Sequence, residues 1–320
     1  MSFPLDEKFL RGEPELDSTR AGFGRGLVTA GEQNERVVVL SADLAESLQM
    51  HAFAEKYPDR FVQVGIAEQN LVSIASGMAH MGMRPFTGSF AAFSPGRNWE
   101  QIRTTICINN EPVKIVGSHA GVNVGPDGVT NQILEDIALM RVLPNMVVIA
   151  PGDAIEAEKA TVAMAHDDRP NYLRVMREKS PIFSTPDAPF EIGRAYVLRE
   201  GTDVSIMATG TMTAQALLAA AELEKQNVHA EVVHVPTIKP LDTDTILASA
   251  RKTGRVITVE EHQIAGGFGS AIVEFLNERQ PMPVKRIGVD DQFGQSGTPA
   301  ELLSHYGLTA EKIAENVLKL

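Results

Sequence analysis

Polar residues that could do chemistry come directly after short apolar runs at four places in the first half of the chain. These are residues 41–44, 65–70, 88–93 and 119–131. In open α/β sheets, strand ends followed by glycine-rich or polar loops are the usual location of binding and catalytic groups. The four segments therefore hold the first candidates for functional residues.

Two carboxylates in these segments each admit a structural and a functional interpretation. Glu68 precedes a helical stretch of small residues, where a carboxylate also suits the positive end of a helix. Asp43 follows an apolar run, and an aspartate there also suits the N-cap of a helix. The residue types alone leave both alternatives open.

Two phenylalanines, Phe90 and Phe93, are candidates for the walls of a site that holds a flat heteroaromatic ring. Such a ring needs aromatic and apolar surfaces that fix its tilt and exclude water. The alternative is that both are core residues, which is the commoner fate of phenylalanine.

The elements that must position these residues are short β-branched runs that alternate with helical stretches. The runs include residues 37–40, 113–116, 146–149, 206–208, 232–235 and 256–259, and the Ala-rich segments 154–165 and 214–225 lie between them. Continuous apolar strands are typical of parallel sheets buried on both faces, with helices as crossovers. The sequence predicts an α/β fold of two domains, each a mostly parallel sheet covered by helices.

A domain boundary is predicted in residues 180–191, which carry three prolines and no periodicity. Such a stretch is a linker more often than the interior of an element. We therefore predict one domain in residues 1–185 and a second in residues 186–320.

The composition of the chain limits the cellular compartment and the classes of partner that we expect for it. The net charge of −12 and the lack of a Lys/Arg cluster argue against nucleic acid. No apolar run approaches the roughly 20 residues that span a bilayer, and the polar start lacks the layout of a signal peptide. The single cysteine, Cys107, fits a reducing compartment and is expected in the core. These features together predict a cytoplasmic protein. No His/Cys/Asp cluster has zinc spacing, so we predict no metal ligands in this chain.

Taken together, the order and spacing of these segments resemble the transketolase family over nearly the whole chain. The resemblance is to the part of the family that holds its pyrimidine-binding and C-terminal domains, and it includes the closing residues 291–303, DQFGQSGTPAELL. It implies a domain that binds the pyrimidine of thiamine diphosphate, followed by a transketolase C-terminal domain.

The resemblance implies roles for four residues at the cofactor. Glu68 matches the glutamate that contacts N1′ of the aminopyrimidine, where a carboxyl favours the imino form of the ring that acts as a base. Phe93 matches the residue that packs on the pyrimidine, and Phe90 matches an adjacent wall. Asp43 corresponds to a carboxylate near the cofactor at the subunit contact. A tyrosine that transketolases often place three residues beyond Phe93 is Gly96 here.

The resemblance also implies a substrate site with a set of phosphate-binding residues and two residues that contact the sugar hydroxyls. The phosphate set is Arg20, Ser47, His119 and Arg177, and the sugar-reading residues are Asp127 and Asn131. Guanidinium groups, a hydroxyl and an imidazole suit a phosphate dianion, and a sulfonate would use similar donors. Asp127 also lies in a Pro-Asp-Gly turn sequence. Many transketolases have histidine where this chain has Asn131, whose amide can hydrogen-bond but cannot take up a proton at neutral pH.

In that family the diphosphate and its divalent metal bind to another domain through a Gly-Asp-Gly segment, and no such segment occurs in this sequence. The resemblance therefore implies an N-terminal transketolase subunit as partner. That subunit would bind the diphosphate and Mg²⁺ or Ca²⁺, in an expected α2β2 assembly.

The activity implied is that of the C-terminal subunit of a split transketolase. It would transfer a two-carbon ketol unit from a ketose phosphate to an aldose phosphate in the pentose phosphate pathway. Alternatives are a split transketolase specialised for a sulfonated or branched sugar, the β subunit of a 2-oxoacid dehydrogenase, a deoxyxylulose-phosphate synthase, and a non-catalytic scaffold. The phosphate set disfavours the dehydrogenase, because short 2-oxoacids have no distal anion.

Overall fold

The computed structural model describes residues 3–320. The helices are α1 (Glu7–Leu10), α2 (Thr19–Gln33), α3 (His51–Lys56), α4 (Glu68–His80), α5 (Trp99–Gln101), α6 (Asp136–Arg141), α7 (Ala154–His166), α8 (Met212–Glu224), α9 (Thr243–Thr253), α10 (Phe268–Arg279), α11 (Pro299–His305) and α12 (Ala310–Leu318). Short 3-10 helices span Pro58–Arg60 and Val122–Asp127, and α5 continues into a π-helical segment, Ile102–Cys107.

The strands are β1 (Leu16–Asp17), β2 (Val37–Ser41), β3 (Phe61–Gln63), β4 (Arg84–Phe90), β5 (Lys114–Ser118), β6 (Val147–Ile149), β7 (Asn171–Arg174), β8 (Ser180–Pro181), β9 (Tyr196–Arg199), β10 (Val204–Ala208), β11 (Ala230–His234), β12 (Thr237–Lys239), β13 (Val256–Gln263) and β14 (Val284–Val289). All six predicted apolar runs form strands, and both Ala-rich segments form helices, α7 and α8.

The first sheet has seven strands in the order β12-β6-β7-β5-β4-β2-β3, and all neighbours run parallel except β12 and β6. The register pairs Ser41 with Gly88 and Phe90 with Ser118. Because parallel strands end at the same edge of a sheet, the segments after β2, β4, β5 and β7 meet there. This edge positions most of the candidate residues.

The second sheet has five strands in the order β14-β13-β10-β11-β9, of which only β9 runs antiparallel to its neighbour. The predicted fold class, two mostly parallel sheets covered by helices, is confirmed. One feature is not predicted by the local sequence pattern: β12 follows β11 in the chain but joins the first sheet. The two sheets are therefore interleaved along the chain, and the boundary at residue 185 stays a prediction.

The proline-rich segment between the sheets is anchored both at the start of α7 and against β11 of the second sheet. Its residue Phe183 is fully buried against Phe9 and His234. The Asp153 carboxylate, also buried, accepts hydrogen bonds from the backbone N–H groups of Phe183 at 3.1 Å and Ser184 at 2.8 Å. Part of the segment is therefore fixed rather than a free linker, and its role as a domain boundary stays a prediction.

The cores of both sheets are apolar, and Cys107 lies in the first of them as expected. Burial raises the pKa of its thiol to about 11, so the group stays protonated at neutral pH. No helix within residues 3–320 is long and apolar enough to cross a membrane.

Removing the Asp153 carboxylate should destabilise the fold. In Asp153→Ala, the N–H groups of Phe183, Ser184 and Glu156 lose their buried acceptor. We expect the free energy of unfolding to fall by about 3 kcal/mol, measured by urea denaturation. Asp187→Ala, an exposed change in the same segment, should change it by less than about 0.5 kcal/mol. Equal effects of the two substitutions would contradict the anchoring role.

Candidate active site

The Glu68 carboxyl is buried at the sheet edge. Glu68 is the first residue of α4, and its side chain is only 3% exposed. Ser89 Oγ, from β4, donates to Glu68 Oε1 at 3.4 Å, and this is the one hydrogen bond to that carboxyl among the described residues. Asn98 Nδ2 donates to the Glu68 backbone carbonyl at 2.8 Å. The helix-start position is confirmed, and the buried carboxyl keeps capacity for a further partner.

Three rings form a layered stack next to Ser89. The Phe90 and His119 ring centroids lie 3.8 Å apart with planes inclined by 25°. Phe93 lies on Phe90 with centroids 6.0 Å apart and planes inclined by 19°. Both phenylalanines are half-buried. They are therefore not pure core residues, and they offer flat apolar surface beside Glu68.

His119 is a buried, neutral imidazole with positive neighbours. It follows β5, is 3% exposed, and has a φ of 57°, in the left-handed region that side-chain-bearing residues rarely adopt. Burial, together with the positive charges of Arg20 and Arg177, lowers the pKa of its ring to about 3. The ring therefore carries one proton at neutral pH, beside two guanidinium groups.

Arg20 is the second residue of α2 and turns toward the same edge. Its Nη1 donates to the Ser47 carbonyl at 2.7 Å, so Ser47 contacts it through the backbone rather than the hydroxyl. Its Nε is buried and has no hydrogen-bond partner among the described residues. Burial, and secondly Arg177, lower the pKa of Arg20. An unpaired donor between like charges suits an anion.

Arg177 lies beyond the end of β7 and already contacts Asp127. Arg177 Nη1 lies 3.0 Å from Asp127 Oδ1 and donates to the Val124 carbonyl at 3.1 Å, while its Nε lies 3.4 Å from Glu178 Oε1. The proposed phosphate-binding and sugar-reading groups are thus adjacent. Arg177 and Arg20 are fixed relative to each other, since the N–H of Met176 donates to Thr19 Oγ1 at 2.7 Å.

Two candidates lie outside this connected group. Asp43 has a φ of 62°, and its N–H donates to Gln63 Oε1 at 2.7 Å. No helix begins at Asp43 in the described chain, so the N-cap interpretation is wrong. Asn131 is half-buried, and its N–H donates to the Gly128 carbonyl at 3.1 Å. Among the described residues, neither side chain forms a hydrogen bond with the ring stack or with the two arginines.

Sequence reasoning missed a residue of the second domain that holds the Asp127 loop. Glu261, near the C-terminal end of β13 in the second sheet, accepts a hydrogen bond from the Asn123 N–H at 2.7 Å. Burial raises the pKa of Glu261 to about 7, although nearby Arg174 opposes the shift. Glu261 follows the apolar run 256–259, and the neighbouring residues give no local sign of this contact. Only the pairing of distant segments brings it to the loop.

The arrangement offers two kinds of binding. A buried carboxyl beside half-buried aromatic rings suits a flat heteroaromatic ring with a nitrogen to hydrogen-bond. A neutral imidazole between two guanidinium groups suits an anion. Within residues 3–320, no group of three or more His, Cys, Asp or Glu side chains is placed to hold a metal ion.

Two known families match the chain. Residues 17–181 match "Transketolase, pyrimidine binding domain", and residues 193–313 match "Transketolase, C-terminal domain". A transketolase C-terminal section of Methanocaldococcus jannaschii is 41% identical over 303 residues, covering 94% of this chain and 95% of the relative.

Two further relatives agree with these matches. A 6-deoxy-6-sulfo-D-fructose transketolase subunit of Clostridium sp. is 40% identical over 287 residues, covering 90% of this chain and 89% of the relative. A solved structure described as a split-gene transketolase, inactive beta4 tetramer, has a TM-score of 0.89 at 46% identity, covering 94% of this chain and 97% of that one.

The low pKa of His119 should make stability depend on pH. In the unfolded chain the ring has a pKa of about 6.5, so below this value the unfolded state binds a proton that the folded state excludes. The contribution of the neutral His119 ring to the free energy of unfolding is complete above about pH 6.5 and is lost progressively toward pH 3. Between pH 7.5 and 5.0, unfolding free energy should fall by about 2 kcal/mol less in His119→Gln than in wild type, measured in urea. An identical fall in both proteins would contradict the assignment.

Proposed function

Because the chain belongs to the transketolase family, we propose that it is the subunit that supplies the pyrimidine-binding half of a split transketolase site. The assembled enzyme transfers a two-carbon ketol unit from a ketose phosphate to an aldose phosphate. The observation that carries this proposal is the His119–Phe90 stack, flanked by Arg20 and Arg177, at the same sheet edge as buried Glu68.

The residues at the edge fit the aminopyrimidine of thiamine diphosphate. That cofactor, when bound, supplies the carbanion chemistry that breaks and forms the carbon–carbon bond. Glu68 has a buried carboxyl with one long hydrogen bond, and it would hold a proton in common with a ring nitrogen. Phe93 and Phe90 would fix the tilt of the ring and exclude water. Asp43 would lie nearer the subunit contact.

The substrate end of the site is proposed to bind a terminal anion. The unpaired Arg20 Nε and the neutral His119 ring supply donors, and Arg177 adds a second guanidinium group. Ser47 and Asn131 would line this end, and Asp127, in contact with Arg177, would read a sugar hydroxyl.

A sulfonated sugar is a second candidate substrate. Both phosphate and sulfonate groups accept hydrogen bonds from guanidinium and imidazole donors, so the residues described here suit either anion. The Clostridium relative is named as a 6-deoxy-6-sulfo-D-fructose transketolase subunit, which supports testing this class of substrate.

The proposed partner is an N-terminal subunit that binds the diphosphate and a Mg²⁺ or Ca²⁺ ion. Two relatives are named as a section and as a subunit, and a related structure of one kind of subunit is described as inactive. These descriptions support a partner subunit. The proposed assembly is an α2β2 enzyme in which residues 1–185 form the pyrimidine-binding domain and residues 186–320 the C-terminal domain.

Glu68→Gln should abolish most of the activity of the complex reconstituted with the N-terminal subunit. The amide keeps the size of the side chain but cannot exchange a proton, and such a loss costs about 100-fold or more in kcat. Ketol transfer would be measured with saturating cofactor, and cofactor binding separately by calorimetry. Glu100→Gln, which changes an exposed carboxyl of α5, is the matched control. Activity of Glu68→Gln within twofold of wild type would exclude the proposed role.

Arg20→Ala should discriminate between donors with and without a terminal anion. We expect kcat/KM to fall about 30- to 100-fold for phosphorylated ketoses, because a charge-assisted hydrogen bond is lost. The fall should be under about threefold for a ketose without an anionic group. Arg25→Ala is the control, since Arg25 lies on α2 like Arg20 but forms surface ion pairs with Asp17 and Glu158.

Equal losses with both donors would contradict an anion-binding role for Arg20. A parallel series of sulfonated ketoses tests the second substrate class. A higher kcat/KM for those donors than for phosphorylated ones would assign the sulfonated sugar.

A further inference from the structure

We propose that Ser118 is a positioning residue that keeps the proton of His119 on Nε2, so that the ring presents an N–H to the anionic end of the substrate. The inference rests on the proposed anion site. Ser118 itself would not contact substrate, and it would act only through the imidazole next to it in the chain.

The geometry places the Ser118 hydroxyl against one nitrogen of the ring. Ser118 is the last residue of β5 and is fully buried, and its Oγ lies 2.9 Å from His119 Nδ1. Its backbone is fixed as well, because its carbonyl accepts from the Ala91 N–H at 2.7 Å. The stack on Phe90 sets the plane of the imidazole. The hydrogen bond to Ser118 then sets which edge of the ring faces β5.

The ring has only one proton to place. Burial and the two neighbouring arginines keep His119 neutral at physiological pH, and a neutral imidazole has one donor nitrogen and one acceptor nitrogen. Which nitrogen carries the proton is set by the hydrogen bond that the other makes. If Ser118 Oγ–H donates to Nδ1, the proton must stay on Nε2.

The partners of the surrounding groups favour this direction. The Ser118 hydroxyl has no other hydrogen-bond partner among the described residues, so its proton is available to Nδ1. Nor do the described arginines supply Nε2 with a donor. Arg20 donates a hydrogen bond to the Ser47 carbonyl. Arg177 donates one to the Val124 carbonyl and forms ion pairs with Asp127 and Glu178. Nothing within the described chain stabilises a lone pair on Nε2.

The tautomer matters because phosphate and sulfonate oxygens act here as acceptors. A ring with its proton on Nε2 adds a third donor to the two guanidinium groups. The opposite tautomer would direct a lone pair toward the anion and lose that hydrogen bond. Ser118 thus determines whether His119 assists or opposes anion binding.

The test is ¹⁵N NMR of the full chain with selectively labelled histidine at pH 7.5, with the His119 signals assigned through His119→Gln. Wild type should show a protonated Nε2 and an unprotonated Nδ1. Ser118→Ala should show a mixture of tautomers, and Ser118→Thr should restore the wild-type pattern. Titration with inorganic phosphate should show an affinity about three- to tenfold weaker in Ser118→Ala.

Ser205→Ala is the matched control. Ser205 is a fully buried serine on β10 of the second sheet that forms a hydrogen bond with Ser249. The substitution therefore removes an equivalent buried hydroxyl from the other sheet. It should leave the tautomer and the phosphate affinity as in wild type.

Several outcomes would overturn the proposal. A wild-type ring protonated on Nδ1 would overturn it while leaving the anion site intact, and this measurement does not require Ser118→Ala to fold. An unchanged tautomer or an unchanged phosphate affinity in Ser118→Ala would also overturn it. No response of the wild-type His119 signals to phosphate would overturn the anion site itself, and the proposal with it.

Discussion

The pairing of β4 with β5 is the constraint on which the site depends. It sets Phe90 opposite Ser118, so that the next residue, His119, lies on the Phe90 ring. Ser89, one residue earlier on β4, reaches Glu68 at the start of α4. A shift of one residue in this register would move every side chain to the other face of the sheet. The carboxyl and the ring stack would then separate.

Electrostatics make the same edge a binding site rather than a structural junction. Opposite charges would ordinarily neutralise a buried cluster, but here a neutral imidazole lies beside two like-charged groups, and Arg20 Nε lacks a partner among the described residues. Such an arrangement is costly in the absence of an anion and becomes favourable when one binds. The Asp127–Arg177 contact offsets part of that cost in the structure. This balance links the loop that carries Asp127 to the anion-binding residues.

Local signals in the sequence were sufficient for the strands and helices and for several candidate residues, whose roles stay predictions. The β-branched runs predicted the strands, and the polar segments that follow strands indicated Glu68, Phe90 and His119. Both inferences use only the order of neighbouring residues in the sequence. The N-cap interpretation of Asp43 was wrong, since the chain takes a left-handed conformation there and no helix follows directly. That choice depends on the Gln63 side chain of the neighbouring strand, which pairs with the Asp43 N–H.

What sequence reasoning missed depends on contacts between distant segments. Joining β12 to the first sheet, anchoring Phe183 on Asp153 and holding Asn123 with Glu261 all require the folded topology. Ser118 looked like an ordinary strand residue, and only its distance to the His119 ring reveals a role. The family resemblance supplied roles for residues but not these supporting contacts.

The most direct test of the account is a crystal structure of this chain with its N-terminal partner and thiamine diphosphate. The account predicts a Glu68 carboxylate oxygen at hydrogen-bond distance, about 2.6–3.2 Å, from N1′ of the aminopyrimidine, with Phe93 against the ring face. A cofactor ring bound elsewhere, or a Glu68 side chain turned away from that nitrogen into solvent, would contradict it.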